Sequence, residues 1–457
     1  MGKRIILFVC LILFSSCASS PKHAKKAAQQ NVYFNQAQVN ALVASGRFER
    51  ASQLFSTHQS MYGSKNELLY LMDRAYTLQL AGKYDESIRY FEQAKNKIDA
   101  LYTRSVSNIA STWMVNDNLA PYRGEAFEHI LVNVLQGLNY LTLGDLTEAL
   151  VEARDADRKF QVLCDLYCHQ KNIYSEDGFA RMLFGIMYES QQERQDVNDA
   201  LISYKKALQA YENGFYKTAA RGVPRLLKEN ALAVAQYLGF PEFRNLQQKF
   251  NDVAFVPFQE KSQKGEIYLI HFNGLSPLKH ATNVAVPLPD GVVQLAFPQY
   301  DPRDYEIRSS ELVAVKSNGQ KFSAGTEVAA DVEAIAKRSL EGRKAWLYTK
   351  AALRPLGKYA VESRAAQRTE EEHGELAGWV VRGASSLYNL YSEQADVRSW
   401  QTLPAEIRIG RVIVAPGKYR VQVKAFDADQ NILQEEDVGE VELKAGDKKF
   451  ILIRTIK

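Results

Sequence analysis

The sequence predicts an α+β chain: an α-helical solenoid, then a β-rich, sandwich-like half with helices inserted in it. Three observations predict this class. A helical-hairpin pattern recurs four times between residues 39 and 212. After residue 260 the apolar period changes from about 3.6 to about 2. Helical patterns then separate two blocks of strand-forming sequence. With 457 residues there is room for two or three domains with cores of their own. The expected divisions are a leader over 1–16, a tether over 17–38, helical repeats over 39–250, and a β-rich domain over 260–457 with a helical insertion at about 325–395.

The leader opens with Lys3 and Arg4, followed by the apolar run "IILFVCLILF". That run is half the about 20 residues a bilayer span needs, so it reads as a signal peptide. "FSSC" closes it and resembles a bacterial lipobox, with Phe14 where that signal usually has Leu. The resemblance implies cleavage before Cys17 and acylation of its thiol and new amino end. Several acyl chains hold a protein firmly to a membrane. By resemblance to Gram-negative lipoprotein sorting, Ala18 after the cysteine, rather than Asp, implies the outer membrane with the body in the periplasm. The tether "SSPKHAKKAAQQ" is small, basic and polar, as a flexible spacer would be.

The four repeats are "VNALVASGRFERASQLFSTH", "LLYLMDRAYTLQLAGKYDESIRYFEQAKNKID", "ILVNVLQGLNYLTLGDLTEALVEARDADRKF" and "DGFARMLFGIMYESQQERQDVNDALISYKKALQAYE". They share a turn Gly (Gly46, Gly82, Gly144), an apolar residue two on, and small residues at fixed spacing. These include Ala51; Ser87 and Ala94; Ala149, Ala153 and Ala156; Ala200 and Ala207. The fourth copy has the longer turn "SQQERQDVND". Ala75, Gly137 and Gly185 supply the small contact on the preceding helix. Small residues let paired helices approach, and aromatics such as Phe55, Phe91 and Tyr204 fill the grooves between hairpins. This spacing resembles the tetratricopeptide repeat. The resemblance implies a curved solenoid whose inner face is built by the first helix of each hairpin. By position that face carries Met72, Tyr76 and Gln79, then Val134, Leu138 and Leu141, then Met182, Ile186 and Glu189. It is expected either to bind a partner or to be filled by the chain's own C-terminal half. After these copies, Arg221–Phe250 is expected to cap the stack, interrupted at "GFPEF".

Two stretches interrupt the repeats. "APYRGEAFEH" reads as a loop entering a helix, with Glu125 and Glu128 near the positive end of its dipole. "CDLYCHQ" holds Cys164 and Cys168. In an oxidising compartment a local disulfide is the first reading. A metal site with His169, which lacks a fourth ligand, and two buried thiols stay open beside it.

The C-terminal half begins with the strand "EIYLIHF" and the turn Asn273-Gly274. "NVAVPLP", "GVVQLAFPQY" and "SELVAVKSNGQKF" continue the first strand block, and helical patterns follow from "TEVAADVEAIAKRSL" to "ELAGWVVRGASSLYNLYSEQ". Strands return at "AEIRIGRVIVA", "GKYRVQVKAFD" and "VGEVELKAGDKKFILIRTI". "RSWQTLP", with Arg398, Trp400, Leu403 and Pro404, reads as a seam between domains.

Several function classes lack a signature. Net charge is +4, and removing Lys3 and Arg4 with the leader leaves +2, too little for a nucleic-acid-binding surface. No P-loop, dinucleotide fingerprint, GxSxG elbow or HExxH occurs. "HFNGLSPLKH" contains His271, Asn273 and Ser276, but a catalytic triad is not assembled from one short local stretch, so the structural reading is preferred. No catalytic residue, metal ligand or cofactor is assigned.

"YRGEAFEH", "NYLTLGDLTEALVEARDAD", "GEIYLIHFNGLSP" and "DVRSWQTLPAEIRIGRVIVAPGKY" together resemble a family of bacterial outer-membrane lipoproteins with N-terminal tetratricopeptide-like repeats and a C-terminal β-rich domain. The resemblance implies a periplasmic protein held to the outer membrane by lipid on Cys17 and connected with cell-envelope assembly. It supplies no catalytic residues. The expected function is a non-enzymatic scaffold holding an envelope protein through its repeats. The alternatives are a peptidoglycan hydrolase with a site in the β-rich half, or a structural subunit of an envelope assembly.

Overall fold

The computed structural model describes residues 38–57, 59–106, 120–167, 173–288, 291–343 and 395–456, with 364, 368 and 371 besides. The leader, Cys17, nearly all of the tether, Cys168, His169 and most of the expected insertion at 325–395 lie outside the described residues.

The helical half is a stack of hairpins. Helix α1 (38–44) pairs with α2 (Phe48–Thr57). A short α3 (Gln59–Tyr62) leads to α4 (Glu67–Leu80) and α5 (Tyr84–Val106). Then come α6 (Ala126–Leu143) with α7 (Leu146–Tyr167), and α8 (Gly178–Glu189) with α9 (Arg194–Glu212). Gly46, Gly82 and Gly144 each adopt a left-handed backbone, φ 68°, 71° and 83°, which turns the chain without a Cβ clash. In the fourth hairpin Gln192 takes that conformation at φ 62°, and the turn spans four residues, 190–193, against two or three in the others. The small contacts lie where the repeat places them. Ser87 Oγ donates to the Ala75 carbonyl at 2.7 Å. Gly185 faces the Tyr204 ring so closely that a Cβ would overlap it. Helices α10 (Gly214–Ala219), α11 (Arg225–Leu238) and α12 (Glu242–Lys249) close the stack, with the break at 239–241 expected from "GFPEF".

A last short helix, α13 (Phe258–Lys261), leads into the β half. There β1 (Gly265–Asn273), β6 (Glu327–Asp331), β7 (Glu406–Val414) and β10 (Lys448–Thr455) form one sheet in the order β10-β1-β7-β6. The second sheet is β5-β4-β8-β9, from β4 (Ser309–Lys316), β5 (Lys321–Gly325), β8 (Gly417–Phe426) and β9 (Ile432–Leu443). Strands β2 (Leu278–Leu288) and β3 (Gly291–Asp301) form a separate antiparallel hairpin. The two four-stranded sheets enclose a core of Ile267, Leu269, Leu312, Val412, Tyr419, Val421 and Ile453. This is the expected sandwich.

One element differs from expectation. Glu327–Asp331, expected as helix, is an edge strand paired with β7, and α14 (Val332–Gly342) starts directly after it. The Ala-rich run suits a helix locally, but the open edge of β7 captures it. Asp331 then changes roles and caps α14, accepting from the Ala334 N–H at 2.9 Å.

Every residue of β1 is buried. Its alternate faces serve two cores: Ile267 and Leu269 face the second sheet, while Tyr268, Ile270 and Phe272 join the core of the helical half. A strand covered on both faces loses the polar alternation of a half-exposed one.

Candidate functional site

The solenoid's inner face and the sheet β10-β1-β7-β6 meet along a seam, and all nine expected groove residues lie on its helical side. Eight of them, Met72, Tyr76, Gln79, Val134, Leu138, Met182, Ile186 and Glu189, are buried, and Leu141 is half-buried. Of the two outcomes expected for this face, the structure has the second, so these residues are not an open partner-binding groove. The chain's own β half fills it, because the sheet's outer face is apolar and closes against the apolar inner face of α4, α6 and α8.

The seam has three parts. At the first, the Trp400 ring sits edge-on to Tyr76 and Phe91, with centroids 6.2 and 6.4 Å away. Tyr76 also meets Phe272 of β1 at 5.9 Å. Every polar atom of Trp400 that faces inward is satisfied. Its Nε1–H donates to Thr402 Oγ1 at 3.0 Å, Thr402 donates to Asp73 Oδ1 at 2.7 Å, and Tyr62 donates to Asp73 Oδ2 at 2.9 Å. The Trp400 backbone N–H donates to Glu128 Oε1 at 2.9 Å. Arg398 pairs with Asp396 and reaches Asn66 Oδ1 at 3.0 Å and the Ala120 carbonyl at 3.1 Å. "RSWQTLP" is thus the seam the sequence indicated.

At the second, Glu125 is the N-cap of α6 and forms a reciprocal capping box with Glu128. Glu125 also pairs with Arg343, just after α14, and with Lys279 of β2 at 3.3 Å. Burial alone would raise its pKa, but those two cations hold it down, to about 2. Glu128, buried beside that charge, is pushed the other way, to about 7.

At the third, Glu189 of α8 and Glu229 of α11 meet Lys261, Glu266, Arg411 and Lys448. Glu189 pairs with Lys261 at 2.5 Å and Lys448 at 3.1 Å; Arg411 pairs with Glu266 at 3.1 Å and Glu229 at 2.8 Å; Lys448 also pairs with Glu266. Three acids face three bases, so the cluster is neutral as a whole. Burial opposes the charge on Lys448, but Glu189 and Glu266 hold its ammonium well above the ordinary range. The adjoining cavity, about 10 Å³, is no larger than a single water needs and far below the about 300–1,000 Å³ of ligand pockets. Glu266, Arg411 and Lys448 escaped the sequence reading. Their one signal is a charge interrupting an apolar strand, as in "GEIYLIHFN" and "IGRVIV".

His271 faces the sandwich and is fully buried. Thr455 Oγ1 donates to Asn273 Oδ1 at 2.7 Å, so it accepts from His271 Nε2–H at 2.7 Å. His271 Nδ1 then accepts from Ser310 Oγ at 2.8 Å. Burial and the nearby Arg408 and Arg454 hold the ring neutral, its pKa lowered to about 3. The histidine is a hydrogen-bonded bridge between the two sheets. Cys164 is disulfide-bonded. Its expected partner Cys168 lies outside the described residues, as does Cys17.

No protein-family model matches the chain, and no curated protein matches it. Among solved structures, BtubC (BKLC) from P. vanneervenii is 15% identical, covering 51% of this chain and 87% of its own, with a TM-score of 0.31. A kinesin light chain of Podospora anserina with nearly identical TPR-like repeats is 12% identical, over 51% of this chain and 97% of its own, at 0.32. The TPR2AB domain of yeast Sti1, in complex with pHSP90, is 14% identical, over 50% and 79%, at 0.20. At such scores nothing is carried over from these proteins, and the repeat assignment rests on the hairpins described above.

Proposed function

We propose that the chain is a non-enzymatic scaffold of the bacterial cell envelope, held to the outer membrane by lipid on Cys17 and presenting its body in the periplasm. The observation that supports a scaffold most directly is the filled inner face of the solenoid. A repeat array clamped on its own sandwich is one stiff body, and its protein partner meets it on the outer side. That side carries Val151 and Val162 of α7 and Ile202 of α9, each more than two-fifths exposed.

The test is in-cell crosslinking followed by recovery from membranes. A partner captured by the intact protein is expected to be lost with the double replacement Val151→Glu and Ile202→Glu. Unchanged capture by that variant contradicts outer-face binding. The anchor is tested separately with a fatty-acid probe: label is expected on the wild type and not on Cys17→Ala, and equal label on both removes the anchor.

A further inference from the structure

Arg454 lies at the end of β10, on the face turned to the solenoid and in register with Phe272. It is 7% exposed. Its guanidinium stands 6.0 Å from the centre of the Tyr76 ring, and its Nη2 reaches only the carbonyls of Thr402 and Leu403, at 3.4 and 3.5 Å. Among the described residues its Nε and Nη1 meet no acceptor, and the buried Tyr76 hydroxyl meets no partner.

A second guanidinium is close by. Arg303, half-buried, donates through Nε to the Ser276 carbonyl at 2.6 Å and through Nη2 to the Gln401 carbonyl and, at 3.5 Å, to Ser276 Oγ, beside the Thr402 and Leu403 carbonyls that Arg454 reaches; burial and the charge of Arg454 both work against its own charge. Among the described residues neither arginine forms a salt bridge with a carboxylate, whereas Lys261, Lys279, Arg411 and Lys448 of the seam do.

A guanidinium offers five N–H donors and keeps its charge in proteins. Leaving one buried, under-bonded and unpaired is strongly unfavourable, and a second uncompensated positive charge nearby adds to the cost. Water supplies acceptor atoms but no negative charge. An oxyanion supplies both, and its oxygens also accept from the Tyr76 hydroxyl. From this arrangement we infer that Arg454, Arg303 and Tyr76 form an internal site for a small oxyanion, of phosphate, sulfate or carboxylate chemistry, between solenoid and sheet. Arg303 is the side of the site nearest solvent. Because the anion bridges α4 and β10, its binding stabilises the closed seam.

The experiment is thermal unfolding of the extensively dialysed full chain, titrated separately with phosphate, sulfate and acetate against chloride at equal ionic strength. At least one oxyanion is expected to raise the midpoint saturably in the millimolar range, by roughly 2 °C. Tyr76→Phe keeps the ring packing and is expected to weaken that response, and Arg454→Met to abolish it. General salting-out gives a rise that does not saturate and that is the same in all three proteins. That result, or no saturable response to any of the three anions, overturns the site. Should Arg454→Met fail to fold, the wild-type saturation and the Tyr76→Phe comparison decide.

Discussion

Glu125 shows how one carboxylate joins three parts of the chain. It caps α6, and it pairs with Lys279 of β2 and with Arg343 after α14. Its pKa falls from the ordinary 4.5 to about 2 on folding. A depressed carboxylate adds stability that is fully present above about 4.5 and is lost as pH falls through 2. The shift corresponds to about 3 kcal/mol. Urea unfolding is expected to show wild type losing its advantage over Glu125→Gln as pH falls across that window. A difference that stays constant with pH contradicts this role. Much at this scale was legible in the sequence: the helix start at Glu125 and Glu128, the buried Trp400, the turn at Gly274. Glu189 was legible only as a position on the inner face, because nothing local announces that Lys261 and Lys448 will meet it.

Among the elements, the hairpins were the most legible, since their glycines and small residues act within one or two turns of chain. Gly185 of α8 makes the point testable. A methyl there would overlap the Tyr204 ring, which is itself held by its hydroxyl donating to Glu189 at 2.7 Å. Gly185→Ala is expected to cost about 1–3 kcal/mol in denaturant unfolding. A neutral result would show that the two helices part easily. Strand β6 was not legible, because the capturing edge belongs to β7, some eighty residues further on. The same holds for β1: its unbroken apolar run identifies a strand but not the two different surfaces that cover it.

At the scale of the whole molecule, the seam decides what the repeats are free to do. The ionic cluster at Glu189 is part of that closure. Removing one member, as in Lys448→Met, leaves a buried charge unmatched and is expected to destabilise by about 3–5 kcal/mol. Removing both partners, with Glu189→Gln added, is expected to cost less than the sum of the two single changes. Additive effects would show that the two groups do not communicate across the seam. Solenoid, sandwich and their order along the chain were legible from the change of apolar period. Their docking was legible only as one of two outcomes for an apolar inner face, since filling by the chain and filling by a partner require the same residues.

The central claim is that the solenoid's inner face is closed by the chain's own sheet. A specific protease site inserted between Asn251 and Asp252, both exposed in the link between the halves, tests it directly. After cleavage without denaturant, the two fragments are expected to co-elute as one particle of the uncut size. Separation into a free solenoid and a free β domain would contradict the claim and return the inner face to an outside partner.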